Sequence, residues 1–150
     1  TVVGFDPRYD QEEKIFTPLG MILRTAKPLR LAEHKLFIGL THHGDVIEEL
    51  QPHLTPGSLI ADDTHPSITP RVREVLAASH IKVMKIVLSH EEFSMWPRMP
   101  AWNNRDIPGC LVEALVLLEQ GDTNLDDLAV FCKTAENMGF KGKLVAPVED

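Results

Sequence analysis

The chain has 150 residues, of which 43% are hydrophobic and 25% charged. These are the proportions of a globular domain and exclude a collagen-like, coiled-coil or disordered chain. Lys and Arg number 15 against 22 Asp and Glu, a net charge of −7, and no basic stripe runs through the sequence. That balance speaks against non-specific binding to nucleic acid or to an acidic membrane surface. The longest apolar stretch, residues 111–118, is interrupted by Glu113 and falls well short of the roughly 18–20 residues of a membrane span. At about 150 residues per domain, the length predicts one domain, residues 1–150, around one core. Cys110 and Cys132 make no disulfide framework. The chain opens on Thr1-Val2-Val3-Gly4-Phe5-Asp6 without a leader, so it reads as a segment of something longer, with a cytoplasmic location expected.

In chain order, short β-branched runs alternate with helical patterns, which predicts a parallel sheet with helices on its faces. Strands are predicted at 1–5, 21–25, 35–40, 58–61 and 81–88, all nearly continuous in apolar content, as strands covered on both sides are. Pro56-Gly57 is a turn that launches the fourth of these. Thr69-Pro70 predicts the start of a helix, with Val72, Val75 and Leu76 repeating at helical spacing. Two further amphipathic helices are predicted from Leu111, Ala114, Leu115 and Leu118, and from Leu125, Leu128, Ala129, Cys132 and Ala135. Thr123 is the expected cap of the second, with Asp126 in its first turn, and Gly139 its terminator with Phe140 packing back. Residues 91–108, with Trp96 and Trp102, form one long irregular stretch of the kind that serves as a lid or lines a pocket. Its aromatics, read as exposed, favour an interface and a homodimer.

The candidate chemistry sits at strand ends. Asp6 closes the first strand, where the carboxylate of a dinucleotide-binding sheet accepts adenosine ribose hydroxyls, while Arg8 two residues on favours a 2′-phosphate. Asp6 thus argues for NAD and Arg8 for NADP. No Gly-x-Gly-x-x-Gly occurs in the chain, which is accounted for if it enters a Rossmann-like sheet at the second strand, lacking the first strand and glycine loop. Cys110, after Ile107-Pro108-Gly109, is placed at a helix start, where unpaired N–H groups favour a nucleophilic thiolate; the competing expectation is a small packed thiol. Cys132 is expected in the core. His42 and His43 follow the third strand, and His65 follows the fourth in Asp62-Asp63-Thr64-His65-Pro66, which makes His65 a general acid/base candidate. The spacing of these residues gives no metal site. His90, beside Glu91 and Glu92, reads as a surface residue.

Residues 110–119, Cys-Leu-Val-Glu-Ala-Leu-Val-Leu-Leu-Glu, with Thr123-Asn124 and the run Met-Gly-Phe-Lys-Gly-Lys-Leu-Val at 138–145, resemble the C-terminal end of acyl-(acyl-carrier-protein) reductases of the shikimate-dehydrogenase-like Rossmann class. The resemblance implies that Cys110 accepts an acyl group from a small-molecule or carrier-bound thioester and that NADPH supplies the reducing hydride. With Asp6-Pro7 after a strand and the run Leu54-Thr55-Pro56-Gly57-Ser58-Leu59-Ile60, residues 1–68 are similar to the NAD domain of S-adenosylhomocysteine hydrolases and 2-hydroxyacid dehydrogenases. That second resemblance implies Asp6 at the adenosine ribose and Thr41 and His42 beside the nicotinamide. The expected function is an NAD(P)-dependent oxidoreductase domain reducing an acyl thioester to an aldehyde. Its alternatives are an NAD-binding domain of the second type and a non-catalytic Rossmann interaction module.

Overall fold

The computed structural model describes residues 2–6, 8–9, 11–17, 20–100, 102–121 and 127–148. Its strands form two sheets. In the first, β1 (Val2–Phe5) lies parallel to β3 (Gly20–Thr25), with Val2 opposite Ile22, and β2 (Glu13–Thr17) runs antiparallel along the other edge of β3. In the second, β4 (Leu36–Gly39), β5 (Leu59–Asp62) and β6 (Lys82–Ser89) are parallel neighbours in that order. The last two strands, β7 (Asp106–Ile107) and β8 (Lys141–Val145), are both antiparallel to β6. Lys85 pairs with both Asp62 and Val145, and Leu88 with both Ile107 and Gly142, so β5 and β7 share one edge of β6 and β8 takes the other.

All five predicted strands are present. The expectation of a single parallel sheet is corrected on two counts: the strands divide into two sheets, and three antiparallel strands, β2, β7 and β8, join them. The division has a topological reason. In the usual doubly wound order 3-2-1-4-5-6, the central strand joins two parallel groups. Here β1 and β3 form one such group and β4, β5 and β6 the other, and among the described residues no strand takes the central place. The architecture is α/β, a Rossmann-like fold lacking some elements. β4 is therefore an edge, and Leu36 and Ile38 on its face opposite Phe37 are 62% and 61% exposed.

Among the described residues four α-helices accompany the sheets: α1 (Ile47–Leu50), α2 (Pro70–Ala78), α3 (Gly109–Gln120) and α4 (Leu128–Asn137). Thr69 is the extended residue before α2 and Pro70 its first, as expected, because proline's fixed φ suits a position whose N–H has no helical partner. Val72 and Leu76 of α2 pack on Ile60, Ile81 and Val83. Val112 and Val116 of α3 and Ala135 of α4 pack on Ile107 and Leu88. Val83 and Leu88 are an odd number of residues apart on β6 and so point to opposite faces, which places helices on both sides of the second sheet.

Asp127 caps α4, its carboxylate accepting from the N–H groups of Ala129 and Val130; Thr123 and Asp126 lie outside the described residues. Gly139 ends α4 with φ +90°, its N–H donating to Glu136 C=O and that of Phe140 to Ala135 C=O, and Phe140 is buried as expected. Cys132, expected in the core, is exposed: the buried side of α4 follows Phe131, Ala135 and Met138, one residue out of phase with it. Leu118, on the expected stripe of α3, is 80% exposed because Val112 and Val116 face the interior instead. Among the described residues no helix is long and apolar enough to cross a membrane.

Candidate functional site

The ends of β4 and β5 are bound to each other by loop contacts that leave little freedom. Asp63 N–H donates to Gly39 C=O (3.0 Å) and Gly44 N–H to Pro66 C=O (2.9 Å). Asp45 accepts from the N–H and hydroxyl of Thr69, at 2.8 and 2.9 Å. At Gly44 a Cβ would lie 2.3 Å from Ile68 N, so only glycine permits this approach. Asp62, buried, accepts from the Thr64 N–H (3.1 Å) and hydroxyl (2.5 Å) and from the Ile68 N–H (3.1 Å). Three donors on one carboxylate make it the organiser of this corner. Thr41, whose hydroxyl donates to His43 C=O, lines a cavity of about 30 Å³ together with Gly39, Asp62, Thr64 and Ile68. His42 is exposed, and His43 Nδ1 accepts from Asp45 N–H.

His65 leaves the end of β5 and stacks on Trp102, with centroids 5.4 Å apart and 21° between the rings. Trp102, expected to be exposed, is 3% exposed. The buried Lys85 of β6 places Nζ 4.0 Å from the indole centroid, a cation–π contact. Asp106, also buried, accepts from Asn103 N–H and Nδ2 and meets Lys143 Nζ at 3.6 Å, which fixes the return limb of the loop. Burial pushes the Asp63 carboxyl above its ordinary value, and the neighbouring Asp62 adds to the rise while His65 opposes it. His90, read as a surface residue, is half-buried: Nε2 contacts Met138 C=O at 2.9 Å and Nδ1 accepts from Glu92 and Phe93 N–H. Accepting at Nδ1 assigns the ring's proton to Nε2.

The end of the first sheet is a hollow of about 410 Å³ lined by Gly4, Phe5, Asp6, Arg8, Tyr9 and Arg24. Arg8 donates from its backbone N–H (3.0 Å) and Nε (2.9 Å) to Asp6 Oδ1, and from Nη2 to Oδ2 (2.5 Å). This guanidinium holds the Asp6 carboxyl down at about 2. Arg24 donates to the Tyr9 hydroxyl (2.7 Å) and lies over its ring, centroid distance 5.5 Å. Two guanidinium groups and one carboxylate face an open basin, an arrangement suited to a phosphate group.

Cys110 is the second residue of α3 and exposed. β7 runs back along β6 from Ser89 towards Leu88, so the start of α3 is set behind the strand ends. Among the described residues no hydrogen bond joins the Cys110 thiol to His65 or to another base. The structure thus gathers Thr41, His42 and His65 on one edge and Asp6 with Arg8 at the end of the other sheet, and leaves Cys110 apart. Sequence reading missed Lys85, Trp102 as the partner of His65, and Arg24 with Tyr9. A signal existed for two of them, since Arg24 is the single charge of β3 and Lys85 stands in the middle of β6, whose other charge, Lys82, is at its first residue.

Comparison with protein-family models, with curated proteins and with solved structures returned no match.

Proposed function

We propose that the chain is the dinucleotide-holding part of an NAD(P)-dependent oxidoreductase, with NADP the better fit. The observation that carries this reading is the hollow at the end of β1, lined by Arg8 and Arg24 with Asp6 and with Tyr9 as an aromatic wall, Arg24 also meeting Glu13 at 4.0 Å. Both oxygens of Asp6 are engaged by Arg8, so a ribose diol would have to displace a guanidinium that a 2′-phosphate would instead recruit. Ligands of open α/β sheets lie outside the carboxyl ends of the strands, and Asp6, Thr41, His42 and His65 all follow such ends. When bound, the cofactor supplies hydride. Asp6, Arg8 and Arg24 hold its adenosine end, Thr41 and His42 flank the nicotinamide side, and His65 with Asp63 handles a proton there. Fluorescence titration with NADPH and NADH tests the reading. Binding of NADPH supports it, and binding of neither nucleotide assigns the chain to the non-catalytic class.

A second reading takes Cys110, exposed at the start of α3 and set behind the strand ends, as the acceptor of an acyl group from a thioester. The Cys110 sulfur attacks the thioester carbonyl, its carbon–sulfur bond forms as the carbon–sulfur bond to the carrier breaks, and the proton of the Cys110 thiol leaves on the carrier thiol. Mass spectrometry after incubation with acyl-carrier protein then finds an acyl adduct that Cys110→Ala abolishes. Tight nicotinamide binding with no adduct points instead to a hydroxyacid dehydrogenase or an S-adenosylhomocysteine-hydrolase-like enzyme.

A further inference from the structure

The loop that follows β6 is fastened where it begins by a histidine that reaches in two directions. His90 Nε2 donates to Met138 C=O at 2.9 Å, at the end of α4, and Nδ1 accepts from the Glu92 and Phe93 N–H groups at 3.0 and 3.1 Å. The place for the ring is built. Gly139 leaves it room, since a Cβ there would lie 2.7 Å from Nε2, and the buried Phe140 meets it with centroids 5.2 Å apart and 54° between the planes. Nδ1 thus does for residues 92 and 93 what the side-chain oxygen of a capping Asn or Asp does for the N–H groups two and three residues on. Unlike an asparagine oxygen, it can take a proton in mild acid.

We propose that His90 is a proton-operated latch on this loop: the neutral ring ties residues 91–93 to the end of α4, and the imidazolium releases them. The proton can enter only at Nδ1, because Nε2 already carries one. There it occupies the lone pair that both N–H groups share, and a donor then faces two donors. Nε2–H keeps its carbonyl in either state, so the ring stays on α4 and the chain leaving it moves. The charged residues on the elements that meet the ring are Glu91 and Glu92 of the loop, Glu136 in the last turn of α4 and Lys141 at the start of β8. All four are exposed, with Lys141 at 3.3 Å from Glu91, and water screens them, whereas the two N–H donors are lost outright. The Met95 N–H on Asn104 C=O and the stack of Trp102 on His65 do not depend on Nδ1, so the latch frees the outgoing limb of the loop and leaves its return limb in place.

Ring nitrogen correlation spectra and amide exchange of Glu92 and Phe93, recorded between about pH 8 and about pH 5, test this. The expected result is an unprotonated Nδ1 at the upper end, a proton on it in acid, and a loss of protection at both amides in the same step. With one proton taken up, that loss reaches about tenfold per pH unit. The Met95 amide, in the neck of the loop, stays protected. His90→Asn places an oxygen that takes no proton where the histidine has Nδ1, and it removes the pH dependence at both amides. It retains His65 and every carboxylate, so a pH dependence that persisted in it would belong to those groups and overturn the proposal. So would a wild-type ring that stays unprotonated at Nδ1 down to about pH 5, or one that takes the proton with both amides still protected.

Discussion

The imidazole of His65 lies on the indole of Trp102 at 5.4 Å, joining the loop after β5 to the loop after β6. Trp102 has no helix or strand to hold it. Its position comes from His65, from the Lys85 ammonium at 4.0 Å and from its own N–H donating to Met99 C=O. The two tryptophans of this loop therefore have opposite roles, one buried and one in water.

Substitution separates those roles. Trp102→Ala removes a buried aromatic and costs about 3–5 kcal/mol of stability, read from urea unfolding. Trp96→Ala, at a side chain 91% exposed, changes it by no more than about 0.5 kcal/mol. Equal losses would contradict the assignment of Trp102 as the anchor.

Gly139 is required twice over. Its φ of +90° disfavours any side chain, and a Cβ there would lie 2.7 Å from His90 Nε2. Gly139→Ala should cost about 1–3 kcal/mol in thermal or urea unfolding. The cost should be smaller when measured in a His90→Ala background, because the clash is gone and only the backbone strain remains.

Acid titration of Asp6 carries a definite sign. Its carboxyl is lowered from 3.8 to about 2 by Arg8, so the stability that the pair contributes is present above pH 3.8 and is lost as the pH falls through about 2. Carboxyl-carbon NMR should place the Asp6 midpoint near 2 in the wild type and return it towards 3.8 in Arg8→Ala. A wild-type midpoint at the ordinary value would mean that the pair does not form.

Asp63 has the opposite sign. Burial raises its folded-state value above the unfolded one, so the neutral acid favours the fold and stability falls as the pH rises through the folded value. Asp63→Asn should therefore raise the unfolding midpoint at pH 7, with the gain disappearing in acid. A loss of stability at pH 7 would show that the carboxylate is held by something stronger than its burial.

Much of the fold was legible because β1, β3, β4, β5 and β6 carry runs of apolar residues, although Leu36 and Ile38 of the edge strand β4 face water. The start of α2 at Thr69-Pro70 and the end of α4 at Gly139 were legible for a similar reason, since each depends on the backbone preference of one residue. The added antiparallel strands were not. β7 has two residues, β2 and β8 are largely exposed edge strands, and Lys141-Gly142-Lys143 gives no apolar alternation to read. Helical phase failed where apolar residues were too many. In α3 and α4 several stripes fit the sequence equally, and only the contacts with Ile107 and Phe140 select Val112 and Ala135 over Leu118 and Cys132. In the candidate site, strand-end positions such as Asp6 and His65 could be read locally. The stack on Trp102 could not, because it joins residues 37 apart through two irregular loops.

Arg8 is expected to meet a 2′-phosphate at the end of β1. Paired titrations of NADPH and NADH into the wild type and Arg8→Ala test it most directly. The expected result is tighter binding of NADPH to the wild type and a fall of about tenfold or more in the NADPH-to-NADH preference on removal of the guanidinium, one charge-assisted phosphate contact. An unchanged preference in Arg8→Ala, or no binding of either nucleotide by the wild type, would contradict it.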